Sequence, residues 1–358
     1  MTTCAVAAES GASVQPAPNG ATLRRLPFRA IVVAVIAALA ATELVLAWPY
    51  VPRALSRLAD PDLGWLTVAV VAELVSMQAF ASVQQRMLAA GGRRVSTCRM
   101  AGLTYAANAV NATLPGGSAL SAGYAFGRLR AWGASAPVAT FTLVAAGLLS
   151  TTSFALLVLA GIVLAGSGAI SAVPLLITVA ALAVVAVLVH RHGLSRVVTR
   201  AARGVLRRYN RARHRAPDLG VDAVHRFLGD LLSIRPHPRD WLAGLSLASL
   251  NWIADLLCLA ACCRAVGVGG TTAALVLAAY VAGMSTSSLS LLPGGFGVVD
   301  AAMVLAFTSG GVGAVAATAG VLLYRLISLV AVVGLGWLIW TVTWLLDRRK
   351  PTREPVTG

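Results

Sequence analysis

Five ionisable residues stand inside apolar runs of this chain: Glu43, Glu73, Asp255, Asp300 and Arg325. A charge at the centre of a membrane helix costs about 2.5–3.5 kcal/mol, so such residues pair with one another or line a path for a polar ligand. Arg325 is always charged, and its planar guanidinium matches a phosphate bidentately. Two readings of it stand side by side. In one, Arg325 and Asp300 form a structural ion pair, since buried charges pair. In the other, Arg325, beside Tyr324, contacts an anionic lipid headgroup. Glu73 and Asp255 are candidate proton or partner sites, and Glu43 is a helix-packing residue. Asn108, Asn111 and Asn251 supply either a polar lining or interhelical hydrogen bonds.

A second source of chemistry is the backbone. The tetrapeptide Leu-Pro-Gly-Gly occurs at Leu114-Pro115-Gly116-Gly117 and again at Leu292-Pro293-Gly294-Gly295, each time within a long apolar stretch. Proline lacks the amide donor and glycine is the costliest other residue in a helix interior, so both segments should break a helix. The helices that resume near Ser118 and Gly297 would begin inside the membrane, with amide hydrogens pointing outward and partial positive charge. Such ends attract phosphate or carboxylate. The plainer reading is that Pro-Gly-Gly only turns the chain, within protein or beside a cavity.

The surrounding elements follow from composition and charge. With 58% hydrophobic and 12% charged residues in 358, and a mean hydropathy of +0.80, the chain reads as an all-α polytopic membrane protein. Apolar stretches long enough to cross the bilayer lie at 29–49, 64–83, 135–165, 171–189, 241–263 and 321–346. Residues 1–22, rich in Ala, Ser, Thr, Pro and Gly, read as disordered. The first apolar run continues past the cleavage-like Ala38-Leu39-Ala40 to Trp48, which favours an uncleaved helix.

The formal charge of +16 comes from 29 basic against 13 acidic residues. The arginines cluster between the spans, which is the positive-inside pattern and not a nucleic-acid footprint. Placing the segments around Arg24 to Arg29, Arg86 to Arg99, Arg191 to Arg239 and Arg348 to Arg353 in the cytoplasm fixes the orientation, with both termini inside. Parity then makes residues 100–130 and 272–311 turn back on themselves. The predicted architecture is six full transmembrane helices plus two re-entrant helical hairpins.

Pro115 and Pro293 are 178 positions apart, and the same offset carries span 64–83 to 242–261, nearly the span 241–263. One connecting helix, 171–189, would invert the second copy. The spacing thus predicts an inverted repeat of about 64–165 and about 241–346, with a midplane binding site at the interrupted segments. Between the copies, 190–240 is a basic cytoplasmic loop. Along 193–211 it carries arginine and apolar stripes at helical spacing, as an interfacial helix would on an anionic leaflet. A second apolar stripe follows at Val224, Phe227, Leu228, Leu231 and Leu232, and residues 347–358 form a cytoplasmic tail.

Several functions are disfavoured. Five cysteines, Cys4, Cys98, Cys258, Cys262 and Cys263, make no metal-ligand pattern or disulfide framework. All five histidines fall in the polar loop, so neither a metal site nor a cofactor is expected. A lipid-modifying enzyme would need a base within reach of a nucleophile such as Ser118 or Ser121, and the spans offer no histidine for it.

The run from Asn111 through Pro115, Gly116, Gly117 and Ser118 to Tyr124, followed by Arg128 to Gly133, resembles the flippase-like integral membrane family related to the transmembrane region of lysylphosphatidylglycerol synthases. Leu292 to Asp300, containing Pro293, Gly294, Gly295 and Gly297, looks like that family's second signature, and Tyr324-Arg325 like its third. Asp300 stands where the family usually carries Glu. The resemblance implies a protein of the cytoplasmic membrane that binds membrane lipids through anionic headgroups at these positions. In the bifunctional relatives a soluble aminoacyl-transferase domain makes the lipid, and few residues follow Trp344 here. The expectation is translocation of a phosphate-bearing lipid without its synthesis, hence no enzyme. The alternative is a non-transporting scaffold that recruits envelope-biosynthesis proteins through the basic loop.

Overall fold

A computed structural model describes residues 51–114, 116–164, 204, 207–208, 221–287, 295 and 297–348. The spans read at 29–49 and 171–189, with Glu43, Pro115, Pro293 and Gly294, lie outside the described residues, as does nearly all of 193–211. Every regular element described is helical. In chain order these are α1 (Val51–Leu58), α2 (Leu63–Ala90), α3 (Thr97–Thr113), α4 (Gly117–Ala131), α5 (Ala136–Leu164) and α6 (Val221–Ser233). The second half adds α7 (Pro238–Ala265), α8 (Ala273–Ser287), α9 (Val298–Ser309), α10 (Ala314–Arg325), a π-helical turn (Leu326–Ala331) and α11 (Val332–Arg348).

Among the described residues, four helical stretches are long and apolar enough to cross a membrane: Leu63–Ala90, Ala136–Gly161, Pro238–Ala265 and Ala314–Leu346. At 28 residues, α2 and α7 each reach about 42 Å, beyond the hydrocarbon core of about 30 Å. By contrast α4 and α8, with 15 residues each, and α9 with 12 fall short of a crossing. The short helices pack as consecutive pairs, α3 on α4 and α8 on α9.

Local chemistry sets the boundaries. Asp62 caps α2, its Oδ1 accepting from the amides of Gly64 (2.8 Å) and Trp65 (3.1 Å). At the start of α7, Pro238 takes the first position, His237 Nδ1 accepts from the Arg239 amide at 3.1 Å, and Asp240 Oδ2 accepts from the His237 amide at 3.2 Å. Leu114 ends α3 in extended conformation (φ −104°, ψ 140°), as the residue before a proline must. Gly116 then turns at φ +70°, a region only glycine enters cheaply, and α4 begins.

The most extensive helix packing joins α2 to α7, and the pair is antiparallel. Asp62 donates its amide to the Ala265 carbonyl (2.9 Å), Asn251 reaches Ser76 near the middle, and Arg86 pairs with Asp240 (3.3 Å) at the far end. An apolar core around α7, α8, α9 and α10 includes Tyr280, Met303, Phe307 and Tyr324. A smaller one joins the end of α2 to α3, α4 and the start of α5 through Leu88, Met100, Leu103 and Leu129. The last helix, α11, lies along α3, where Gly336 permits contact with the Tyr105 carbonyl.

The 178-residue offset recurs in the details. Gly92 and Gly270 both have positive φ (86° and 76°), as do Gly133 and Gly311 (84° and 89°). Asp62 and Asp240, Arg86 and Arg264, and the helix starts Ala136 and Ala314 keep the same separation.

Candidate functional site

Along α2, helical spacing puts Glu73, Ser76 and Met77 on the face turned to α7, and all three are buried. From α7, Asn251 donates its side-chain amide to Ser76 Oγ at 2.7 Å and to the Ser76 carbonyl at 3.2 Å. One turn further, Asp255 accepts two hydroxyls, Tyr280 from α8 at 2.6 Å and Tyr324 from α10 at 3.0 Å. Both tyrosines are almost wholly buried, so each needs such a partner for its hydroxyl.

The second Leu-Pro-Gly-Gly segment meets this cluster through Arg325. Asp300, in the first turn of α9, accepts the Gly297 amide at 3.1 Å with Oδ2 and the Arg325 Nε–H with Oδ1. Arg325 also reaches the Gly295 carbonyl at 3.4 Å. The helix carrying Arg325 then widens into the π-helical turn, an irregularity frequent at functional sites.

The first segment is held differently. Ser118 Oγ donates to Asn111 Oδ1 at 3.1 Å, bridging the end of α3 and the start of α4. No side chain caps α4, and its entry residue is Gly116. Gly117 sits against the Asn111 carbonyl, where any Cβ would collide. Asn108 donates to the Thr104 carbonyl at 3.1 Å within its own helix.

These groups converge on one cavity of about 570 Å³. Gly116, Gly117 and Ser118 line it from the first segment, Gly295 from the second, and Glu73, Asn108, Asn111, Asp255, Tyr324 and Arg325 from the helices between. Asp300 and Gly297 stand just behind Arg325 and act on the cavity through it. A space of this size falls in the range of small-molecule pockets.

Sequence reasoning did not single out Tyr280 or Ser76. A lone tyrosine in the apolar run Ala273 to Met284 was the available signal for the first. Ser76 carries no such mark. Its role depends on the register between α2 and α7, which one strand of sequence does not display. Cys258, Cys262 and Cys263 are buried packing residues, and no metal-type cluster of three or more ligands occurs among the described residues.

Four apolar crossing helices around a polar cavity define a multi-pass membrane protein. The family described as the lysylphosphatidylglycerol synthase TM region matches residues 22–336, and the chain belongs to that family. No curated protein matches it.

Proposed function

We propose that this chain translocates a phosphate-bearing lipid across the cytoplasmic membrane and does not synthesise it. The observation that carries the reading is the convergence of both glycine breaks and Arg325 on one headgroup-sized cavity that α2 and α7 help to line. The uncapped start of α4 offers amide hydrogens and partial positive charge, and Arg325 offers a fork of donors.

In this reading the protein has six full spans, and the pairs α3–α4 and α8–α9 are re-entrant hairpins entering from opposite faces. The antiparallel pairing of α2 with α7, the recurring 178-residue offset and the shortness of α4, α8 and α9 support an inverted repeat. Transport then follows from rocking the two halves about the cavity. Arg128 and Arg130 in the last turn of α4 suit a cytoplasmic end, with both termini on that side.

The test is reconstitution in liposomes with fluorescent phosphatidylglycerol, following its loss of access to an external quencher. Faster exchange than in empty liposomes is expected, with a weaker effect on a neutral-headgroup analogue. Equal rates with and without protein would refute the reading. A scaffold role is favoured by one observation: α6, packed on α5, keeps Arg226 exposed on the side away from its half-buried Phe227, Leu228 and Leu231 stripe. Loss of partner recruitment on neutralising the 190–240 arginines, with Arg325 variants unimpaired, would support it.

A further inference from the structure

We propose that Glu73 is a proton-binding site whose loading is linked to occupation of the cavity by a phosphate anion. This rests on the translocation reading for its physiological use, but the site is defined by geometry of its own. Glu73 is only 6% exposed, and its Oε2 atom, on a residue lining the cavity, has no hydrogen-bond partner. A buried carboxylate ordinarily accepts several donors. The Asp255 carboxyl lines the same cavity, its two oxygens already accepting from Tyr280 and Tyr324. Two carboxyl groups on one cavity at membrane depth need a counter-cation.

The groups facing Glu73 identify that cation. They are Tyr105 from α3, Asp255 and Cys258 from α7, Tyr280 from α8, and Tyr324 and Arg325 from α10. Residues 136–164 of α5 and the π-helical turn contribute no titratable side chain. Arg325, the cation nearest, is engaged by Asp300 and Gly295, and the two tyrosine hydroxyls are spent on Asp255. No metal-type ligand cluster surrounds the pair among the described residues.

Linkage to an anion follows from charge. With Glu73 ionised, Glu73, Asp255, Asp300 and Arg325 sum to two negative charges, and a proton leaves one. A phosphate monoanion therefore enters more readily once Glu73 is loaded, and by reciprocity the anion tightens the proton. A monoanionic headgroup moving with one proton is electrically neutral, so the membrane potential does not oppose it.

Infrared titration of the full-length protein in nanodiscs tests the site itself. The wild type is expected to show a protonated-carboxyl band at neutral pH that grows on adding phosphatidylglycerol and is missing from Glu73→Gln. A wild type without such a band, or a band unchanged by both the lipid and the variant, overturns the proposal. Should Glu73→Gln not elute as a monodisperse species, Asp255→Asn supplies the assignment, because it must shift the same band. No shift counts against Glu73.

In proteoliposomes, one-proton coupling predicts about tenfold enrichment of labelled phosphatidylglycerol in one leaflet for a gradient of about one pH unit, abolished by an ionophore. In Glu73→Gln the ratio of rates with and without the gradient falls to one. Translocation that ignores the gradient in the wild type overturns the linkage and leaves the translocation reading standing. Absence of all translocation sinks that reading, and the infrared band then decides the proton site alone.

Discussion

At Gly297 the resumption of a helix after Leu-Pro-Gly-Gly is tied by three bonds: Asp300 caps it, Arg325 holds Asp300, and Arg325 also reaches Gly295. At Gly116 the same tetrapeptide leads into a helix with no side-chain cap, bridged only by Ser118 to Asn111. The second break is buried at Gly295, while Gly116 and Ser118 are exposed. One tetrapeptide thus serves two tasks. The second end has its donors and charge already answered from within the protein, and the first keeps its amide end open toward the cavity.

The largest effect should come from cutting the tie at the second end. Arg325→Met leaves Asp300 without its cation and the Gly295 carbonyl without its donor, and breaking such a pair costs about 3 kcal/mol. Thermal unfolding in detergent should show it as the greatest loss among the variants considered. Arg325→Met combined with Asp300→Leu should recover most of that loss, since no lone charge remains. A double variant as unstable as the single would mean that the ion pair is not what holds the second end.

Next comes Gly117→Ala. Its Cβ would meet the Asn111 carbonyl, and forcing α3 from α4 costs about 1–3 kcal/mol. Gly116→Ala has open space around it, so its cost is only that of the left-handed backbone, about 1–2 kcal/mol. If Gly117→Ala proves the milder of the two, close approach of the arms is not what the first hairpin requires.

The contrast between the ends was only partly legible in the sequence. Helix breaks at Leu114-Pro115 and the polar positions Glu73, Asp255 and Arg325 followed from residue type against an apolar background. The spans read at 64–83 and 321–346 are longer in the structure, Leu63–Ala90 and Ala314–Leu346, because amphipathic turns such as Gln84 to Arg86 extend the helix beyond its apolar run. For Asp300 and Arg325 two readings stood open, and the structure shows the ion pair with Arg325 also lining the cavity, so pairing and ligand contact are compatible. That Tyr280 and Tyr324 both serve Asp255, and the π-helical turn after Arg325, depend on helix register and packing that local propensity does not encode.

A smaller effect is expected within the second half, where α8 and α10 meet α7. In Asp255→Asn one of the Tyr280 and Tyr324 hydroxyls keeps a neutral carbonyl acceptor while the other meets an amide NH2 that can only donate, a cost of about 1–2 kcal/mol. Asp255→Leu should cost more, by stranding both buried hydroxyls. Equal melting temperatures for the two variants would show that these hydroxyls find other partners, and that α8 and α10 are not anchored to α7 through Asp255.

The smallest stability change belongs to Ser118→Ala, and it discriminates best between the two ends. Its bond to Asn111 is exposed, so removing it should cost about 0.5 kcal/mol, close to the limit of a melting measurement. Binding should respond more. Ser118 stands in the first turn of α4 and lines the cavity, where its hydroxyl and the neighbouring amides can donate to the same anion. A half-saturating phosphatidylglycerol concentration raised several-fold, with folding intact, is the outcome that makes the first end the ligand-facing one. An unchanged concentration in Ser118→Ala, beside a large rise in a folded Asp300→Asn variant, would reverse the assignment and give the ligand to the second end.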